Sequence, residues 1–343
     1  MQLPKMFESL RANQRFLVAE MLSRGIEVHI FDLSRELLEA RLGDHYELFS
    51  DIDGSAGSYT ASAVTSSKDI TKRLLQRVGI SVPKGRAFAA EQLDEMVAFA
   101  DSLLGYPVVL KPGFGIQGEY VFTEIESADE LRAAALVISN ETTFEEVIVE
   151  EHFDAKEFRV FITTKGDYAV VYREPAHVIG DGISTITQLA HVESLRRMTP
   201  RVNCLCEIRL DREASQYLKR RAISFESVPA HGEKVYLRGS SNVKQGGVPV
   251  DVTDWVHPSV VEICLQAIKA IPGLPFAGVD FMCSDISQPQ SGNSYRILEL
   301  NSVPGIGIHI APGKGRPRNV AAMIVDIVFP ETACTRKEES WAA

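Results

Sequence analysis

Tyr295-Arg296-Ile297-Leu298-Glu299-Leu300-Asn301, taken with Gly278-Val279-Asp280 a short way upstream, decides how this chain is read. The run from Tyr295 to Leu300 has the character of a buried strand that ends on an acid and a carboxamide. Glu299 and Asn301 are two residues apart, so on a strand their side chains share a face. Asp280 closes a second apolar run that begins at Phe276. Were the two strands neighbours, three hard oxygen donors would meet at one spot. That suits Mg²⁺, which takes a few protein oxygens and leaves its other positions to water and phosphate. Read alone, the same residues fit strand-end polar groups that satisfy one another and the backbone.

Working outward, 343 residues suit two or three compact subdomains better than one core. With 45% hydrophobic and 24% charged residues, the composition is that of a soluble globular protein. The net charge of −10 excludes bulk attraction to nucleic acid or to an anionic membrane, so an anionic ligand must be held by local cations. No apolar run approaches the roughly 20 residues of a membrane span. The opening Met-Gln-Leu-Pro-Lys lacks a signal-peptide core, which makes the cytoplasm the expected location. Five scattered cysteines match no zinc spacing and read as reduced thiols.

Periodicity gives an α+β or α/β chain. Helices are expected over 11–24, 68–78, 91–104, 127–138, 257–270 and 317–327, with 186–225 polar and mostly helical. Strands are expected at 26–31, 46–49, 106–111, 120–125, 147–150, 157–163, 168–174 and 234–238, and a short one ends at Pro83. The Gly/Ser/Thr/Ala-rich stretch 53–67 reads as a linker or surface crossing. Four units are expected: a small cap over 1–66, a small subdomain over 67–153, a large subdomain over 154–330, and a frayed tail over 331–343.

Within this frame, Val108-Val-Leu-Lys111-Pro-Gly113-Phe-Gly115-Ile-Gln-Gly118 puts a lysine at the end of an apolar strand, followed by a loop with three glycines. Glycines let backbone N–H groups approach phosphates closely, and the lysine adds a point charge. No Gly-Lys-Ser/Thr ending is present and a strand follows, so this is not a Walker loop; nor does Gly-x-Gly-x-x-Gly open a helix. An ordinary hairpin turn is the plain alternative. Next, Val147-Ile-Val-Glu150-Glu151-His152-Phe153 offers a strand exit where backbone groups and an apolar ring could meet a base, with the Glu157 carboxylate downstream for ribose hydroxyls.

The order lysine, glycine loop, strand–Glu–acid, Asp, Glu-x-Asn resembles that of ATP-grasp carboxylate–amine ligases, and the resemblance spans about residues 65–330. Arg173-Glu-Pro-Ala-His-Val-Ile-Gly180-Asp181-Gly182 and Val235-Tyr-Leu-Arg238-Gly-Ser-Ser-Asn242-Val-Lys-Gln-Gly246-Gly247 are similar to segments of cyanophycin synthetase and of the glutathione-synthetase half of the bifunctional bacterial glutathione enzyme. Pro304-Gly-Ile-Gly-Ile-His309-Ile-Ala-Pro-Gly-Lys314-Gly-Arg316-Pro-Arg318 resembles the closing stretch of cyanophycin synthetase. The resemblance implies an ATP-grasp fold behind a shortened N-terminal cap. It also implies roles. Lys68 and Lys111 would contact phosphates, although Ser67 replaces the Asp usual before the first lysine. Gly113, Gly115 and Gly118 would form the closing loop. Glu150 and Phe153 would form the adenine hinge, and Glu157 the ribose contact. Asp280, Glu299 and Asn301 would hold Mg²⁺, with two ions implied and Mn²⁺ as a substitute. Arg238 and Asn242 would hold the γ-phosphate and an acyl phosphate, and Arg173 the carboxylate substrate.

The implied reaction is ATP-dependent activation of a carboxylate to an acyl phosphate, then capture by an amine, with ADP formed. Such chemistry needs fixed positive charge around a phosphoryl group and a lid against water. His309, Lys314 and Arg316 are further substrate candidates. A buried, hydrogen-bonded structural histidine and a solvated basic run are the plain readings of these. The expected function is a stand-alone amino-acid or dipeptide ligase of natural-product type acting on small amino-acid or peptide substrates. Alternatives are a free-standing glutathione synthetase, joining γ-glutamylcysteine to glycine, and a nucleotide-binding regulator without catalysis. A homodimer is compatible with the resemblance, and 186–225 could supply its contacts.

Overall fold

The computed structural model describes residues 3–113, 120–198 and 204–333. Helices are α1 (Ala12–Ser23), α2 (Tyr59–Ser66), α3 (Lys68–Arg77), α4 (Leu93–Phe99), α5 (Ala128–Glu141), α6 (Ile186–Met198), α7 (Arg212–Arg220), α8 (Pro258–Lys269), α9 (Gly307–Ile310) and α10 (Val320–Val328). Strands are β1 (Glu27–Asp32), β2 (Leu37–Leu42), β3 (His45–Ser50), β4 (Gly85–Ala89), β5 (Val108–Pro112), β6 (Phe122–Ile125), β7 (Glu146–Glu151), β8 (Lys156–Thr163), β9 (Tyr168–Glu174), β10 (His177–Ile179), β11 (Lys234–Tyr236), β12 (Val248–Asp251), β13 (Phe276–Cys283) and β14 (Tyr295–Asn301).

A five-stranded sheet of order β12-β9-β8-β13-β14 is the frame on which the rest is built. Every pairing within it is antiparallel, as are those of the sheets β1-β2-β3, β4-β7-β5-β6 and β10-β11. The architecture is therefore α+β. The alternation of β8 assigns its residues cleanly. Phe158, Val160 and Ile162 join Val279, Phe281 and Ile297 in a core covered by Val260, Cys264 and Ala267 of α8. Phe161 points the other way and meets Leu17, Phe49, Phe276 and Ile324 in a second core. That opposite face is thus apolar at one end, while Glu157 and Arg159 occupy its other end. A third core, with Val108, Leu110, Leu131 and Val149, belongs to the β4–β7 sheet and its helices.

Several sequence expectations need correction. The stretch 53–67 contains α2, whose first turn is capped by Ser58 accepting the Ala61 N–H at 3.0 Å. Small Ser, Thr and Ala side chains disguised a helix whose Ala61 reaches the central core. No strand ends at Pro83; the strand lies just beyond, as β4. β2 was missed, and so was β12. The segment 186–225 is two helices, α6 and α7, separated by extended chain at 204–211. The start of the expected tail is anchored: Glu331 accepts from His45 Nδ1 at 2.6 Å, while 334–343 lie outside the described residues.

Candidate active site

Register brings the acidic residues together. Asp280 of β13 is the cross-strand partner of Glu299 on β14, and Gly278 is the partner of Asn301. On its other side Asp280 faces Arg159 of β8. Asn301 Nδ2 donates to Glu299 Oε1 at 3.1 Å, which leaves the amide oxygen to accept. Asp280 accepts a two-pronged bond from Arg159 Nε and Nη2 and a third from Arg173 Nη1 at 3.2 Å. Arg173 also donates to Glu157 at 2.7 Å, and Ser241 Oγ donates to the other Glu157 oxygen. A Cβ at Gly278 would stand 3.0 Å from Arg159 Cδ and closer still to Pro304. Glycine at this position gives the arginine room to cross the strand.

The field at this face is strongly polarised. Burial pushes Asp280 up to about 6, against the opposing pull of Arg159 and Arg173. Burial also acts on Glu299, but the Lys68 and Arg159 charges and the Asn301 hydrogen bond outweigh it and hold the group down to about 2. Three carboxylates (Glu157, Asp280, Glu299) against two guanidiniums leave one formal negative charge. Two carboxylates and a carboxamide on adjoining strands form a hard oxygen donor set, so these residues fit Mg²⁺. Such an ion would compete with Arg159 for Asp280.

Lysines of α3 and of the β4–β7 sheet face this donor set. Glu150 is buried on β7 and pairs with Lys72 through one oxygen and with Lys111 through the other at 2.8 Å. Lys68 follows the N-cap Ser67 at the start of α3, and Lys72 lies one turn later on the same helix. Three lysines gathered around one buried carboxylate suit a polyphosphate. Burial, then the Lys68 charge, lowers Lys111 to about 8, and burial with the Lys111 charge pushes Lys72 well below its ordinary value.

Other expected site residues are placed less simply. The Glu150 side chain turns inward onto the lysines, and at the strand exit the Glu151 and His152 N–H groups donate to Lys84 O at 2.8 Å and Pro107 O at 3.3 Å. The Phe153 ring lies under the Arg296 guanidinium, 4.7 Å from its centroid, and Arg296 pairs with Glu151 at 2.7 Å. Gly113 N–H donates to Glu146 O at 3.0 Å; Gly115 and Gly118 lie outside the described residues. Asn242 caps a short 3-10 turn, accepting the Lys244 N–H at 2.9 Å. Arg238 is fully buried. Its Nη1 and Nη2 donate to Glu213, Asp211 and Arg209 O at 2.8–3.1 Å, while Nε has no partner among the described residues.

His309 is buried, as the plain reading had it, but neither ring nitrogen has a hydrogen-bond partner among the described residues. Burial and the nearby Arg159 charge push it down to about 3, so it is neutral at ordinary pH. Lys314 reaches Glu174 at 3.3 Å and Arg316 reaches Asp254 at 3.3 Å. Each already has an acidic partner. Among the described residues no cluster of three or more His, Cys, Asp or Glu is arranged as a metal cage. The donor set here is two acids and an amide.

The sequence reading missed Arg159, Lys72, Glu174 and His177. Arg159 lies two residues beyond Glu157 on one strand face, and Lys72 four beyond Lys68 on one helix face, so spacing alone could have flagged both. Glu174 is buried among Lys234, Lys314 and His177. That grouping spans three distant segments and leaves no local signal. His177 and Lys314 line a cavity of about 410 Å³ beside α6.

Comparison with known proteins agrees with this geometry. Residues 67–171 match the family model described as the carbamoyl-phosphate synthase L chain, ATP binding domain. The chain is 33% identical to cyanophycin synthetase of Synechocystis over 88% of its own length and 35% of that protein. It is 32% identical to the glutathione biosynthesis bifunctional protein GshAB of Clostridium perfringens, over 94% of this chain and 42% of that one. The crystal structure of a bifunctional glutathione synthetase from Pasteurella multocida superposes with a TM-score of 0.69 at 27% identity, covering 95% of this chain and 44% of that one. The chain thus spans well under half the length of these relatives. A donor set on adjoining antiparallel strands, a lysine patch facing it, and these likenesses along nearly the whole chain agree: the protein belongs to the ATP-grasp superfamily.

Proposed function

We propose that this protein joins a carboxylate to an amine at the expense of ATP, through an acyl phosphate, with amino-acid-type compounds as both substrates. The observation that carries this reading is the pairing of Asp280 with Glu299 and of Gly278 with Asn301, within the electrostatic reach of Lys68 and Lys111. Asp280, Glu299 and Asn301 would hold Mg²⁺, which supplies Lewis acidity to the phosphate oxygens when bound.

The chain's own groups do the rest. Lys68, Lys72 and Lys111 bind the triphosphate, and Glu150 keeps the latter two in place. Residues 151–153 receive the base and Glu157 the ribose. Arg173 and Arg159, released in part from Asp280, orient the carboxylate that attacks the γ-phosphorus. Arg238 and Asn242 stabilise the phosphoryl group in transfer and then the acyl phosphate. Because these cations are fixed before reaction, little reorganisation is needed as charge shifts. Attack by the amine on the acyl carbon expels phosphate and forms the amide, with the ammonium proton passing to phosphate or solvent.

The test is to screen pairs of amino acids and short peptides, including γ-glutamylcysteine with glycine, for ADP release and for a condensed product by mass spectrometry. ADP release that needs both partners, with one amide formed per ADP, is expected. Nucleotide binding without turnover on any pair would instead favour a regulator.

A further inference from the structure

We propose that α7 is a tie that couples movement of a lid, here the β4–β7 sheet with α5, to the position of Arg238; this rests on the ligase reading above. The helix is held at both ends. At its N-terminus, N-cap Asp211 and first-turn Glu213 accept two of the Arg238 guanidinium nitrogens. Ser240, two residues beyond Arg238, donates to Glu213 at 3.1 Å. At its C-terminus, Arg220 donates to Glu124 O at 2.8 Å and to Glu130 at 3.1 Å. Arg221, the C-cap, reaches both Glu124 oxygens at 3.2 and 3.3 Å while stacking on Tyr217 at 3.6 Å. Glu124 and Glu130 belong to β6 and α5 of the small subdomain, next in sequence to the glycine loop.

The lid side of this contact is specially built. The β5–β6 pairing shifts register between Val108 and Leu110, so that β6 carries one extra residue. Glu124 lies in that bulge with φ 55, a left-handed conformation uncommon for a residue with a side chain. A bulge residue leaves the ladder, which frees the Glu124 carbonyl for Arg220 and its carboxylate for Arg221. Gly239, next to Arg238, fits into the same junction: a Cβ there would lie 3.4 Å from Tyr217 and 3.7 Å from Glu124. Lid strand, helix and phosphate-site loop thus meet around Tyr217.

These contacts make Arg220 and Arg221 positioning residues. They touch no reacting group, yet they connect the lid to the acids that set the Arg238 fork. The direction of fully buried Arg238 depends on where α7 sits, because Glu213 and Asp211 at the start of that helix hold its two terminal nitrogens. Motion of the lid onto nucleotide would therefore carry α7, and α7 would carry Arg238.

Hydrogen exchange on the whole protein with AMP-PNP and Mg²⁺ tests this. In the unmodified protein, protection is expected at 122–125 and also at 212–220 and 236–242. In the Arg220→Ala/Arg221→Ala double variant, which removes the side-chain contacts of the helix end to Glu124 and Glu130, protection should persist near 122–125, while the slowing of exchange at 212–220 falls at least fivefold. Each single variant should lose less, because the other arginine still holds. ADP formation with a productive substrate pair should lose kcat with little change in KM for ATP, and ADP released without amide should increase. A thermal midpoint close to that of the parent distinguishes this from misfolding. Variants that transmit protection to 212–220 as the parent does would overturn the tie while leaving the ligase reading intact. If the unmodified protein shows no response to AMP-PNP anywhere, the ligase reading falls and the tie with it.

Discussion

The face proposed to hold Mg²⁺ and the basic loop after it are adjacent in sequence and opposite in design. On that face, Asp280, Glu299 and Glu157 are gathered against two arginines with one negative charge in excess, and their geometry is fixed by strand register. In the loop, Lys314, Arg316 and Arg318 each have an acidic partner: Glu174, Asp254, and Asp251 with Asp254. One region has unbalanced charge on a rigid sheet; in the other each cation is matched by a carboxylate. Function is expected where charge is held rigidly and left incomplete, because there a ligand completes it.

The sharpest way to break that comparison is Glu299→Ala. Removing this carboxylate, which the surrounding charges hold down to about 2, should lower kcat by roughly a thousandfold or more, while nucleotide still binds. ADP release and AMP-PNP titration measure the two effects separately. Retention of full turnover would reduce that face to three strand-end residues that merely satisfy one another. Lys111→Ala comes next. It removes a charge-assisted contact worth about 1.5–3 kcal/mol, so nucleotide affinity should weaken roughly tenfold to a hundredfold. Loss of kcat alone, at unchanged nucleotide affinity, would contradict its assignment to binding.

The same contrast explains what could be read from the chain. Glu299, Asn301 and Asp280 were legible because strands alternate and both runs end on polar residues, so face and position followed from the period. Lys111 was legible for the same reason. The partners were not. That Arg159 lies on Asp280, that Arg238 is taken up by Asp211 and Glu213, and that Arg316 sits on Asp254 depend on loops and helices converging from distant segments. Helix α2 was hidden because Ser and Thr favour both caps and linkers. The bulge at Glu124 was hidden because no glycine marks it.

Titration sharpens the comparison further. Lys111 is lowered to about 8 by burial and by Lys68, whereas in an unfolded chain a lysine titrates near 10.4. Between these values the unfolded state binds the extra proton, so this group makes stability rise with pH across that window and contributes nothing to the slope below it. Binding responds in the opposite sense. A polyphosphate favours the charged lysine, so affinity for AMP-PNP should fall as pH rises through 8, by up to about tenfold per unit. Calorimetry at pH 7, 8 and 9 measures this, and Lys111→Arg should flatten the profile. A profile that stays steep in the arginine variant would assign the titration to another group.

Arg316→Ala is the smallest expected effect and tests the other half of the contrast. The Arg316 side chain is 76% exposed, and its partner Asp254 is also held by Arg318 at 2.7 Å. Solvent screens the Arg316–Asp254 pair, and Asp254 keeps a cation when Arg316 is removed. Stability should therefore change by no more than about 0.5 kcal/mol, and turnover by less than about twofold. Arg318→Ala is the internal control. It leaves buried Asp251 without the guanidinium that contacts both its oxygens, so it should destabilise the protein clearly more. If Arg316→Ala instead raised KM for one carboxylate substrate tenfold at unchanged stability, the loop would have to leave Asp254 and turn toward the site. Charge balance in the resting structure would then be a poor guide to which cations meet the substrate.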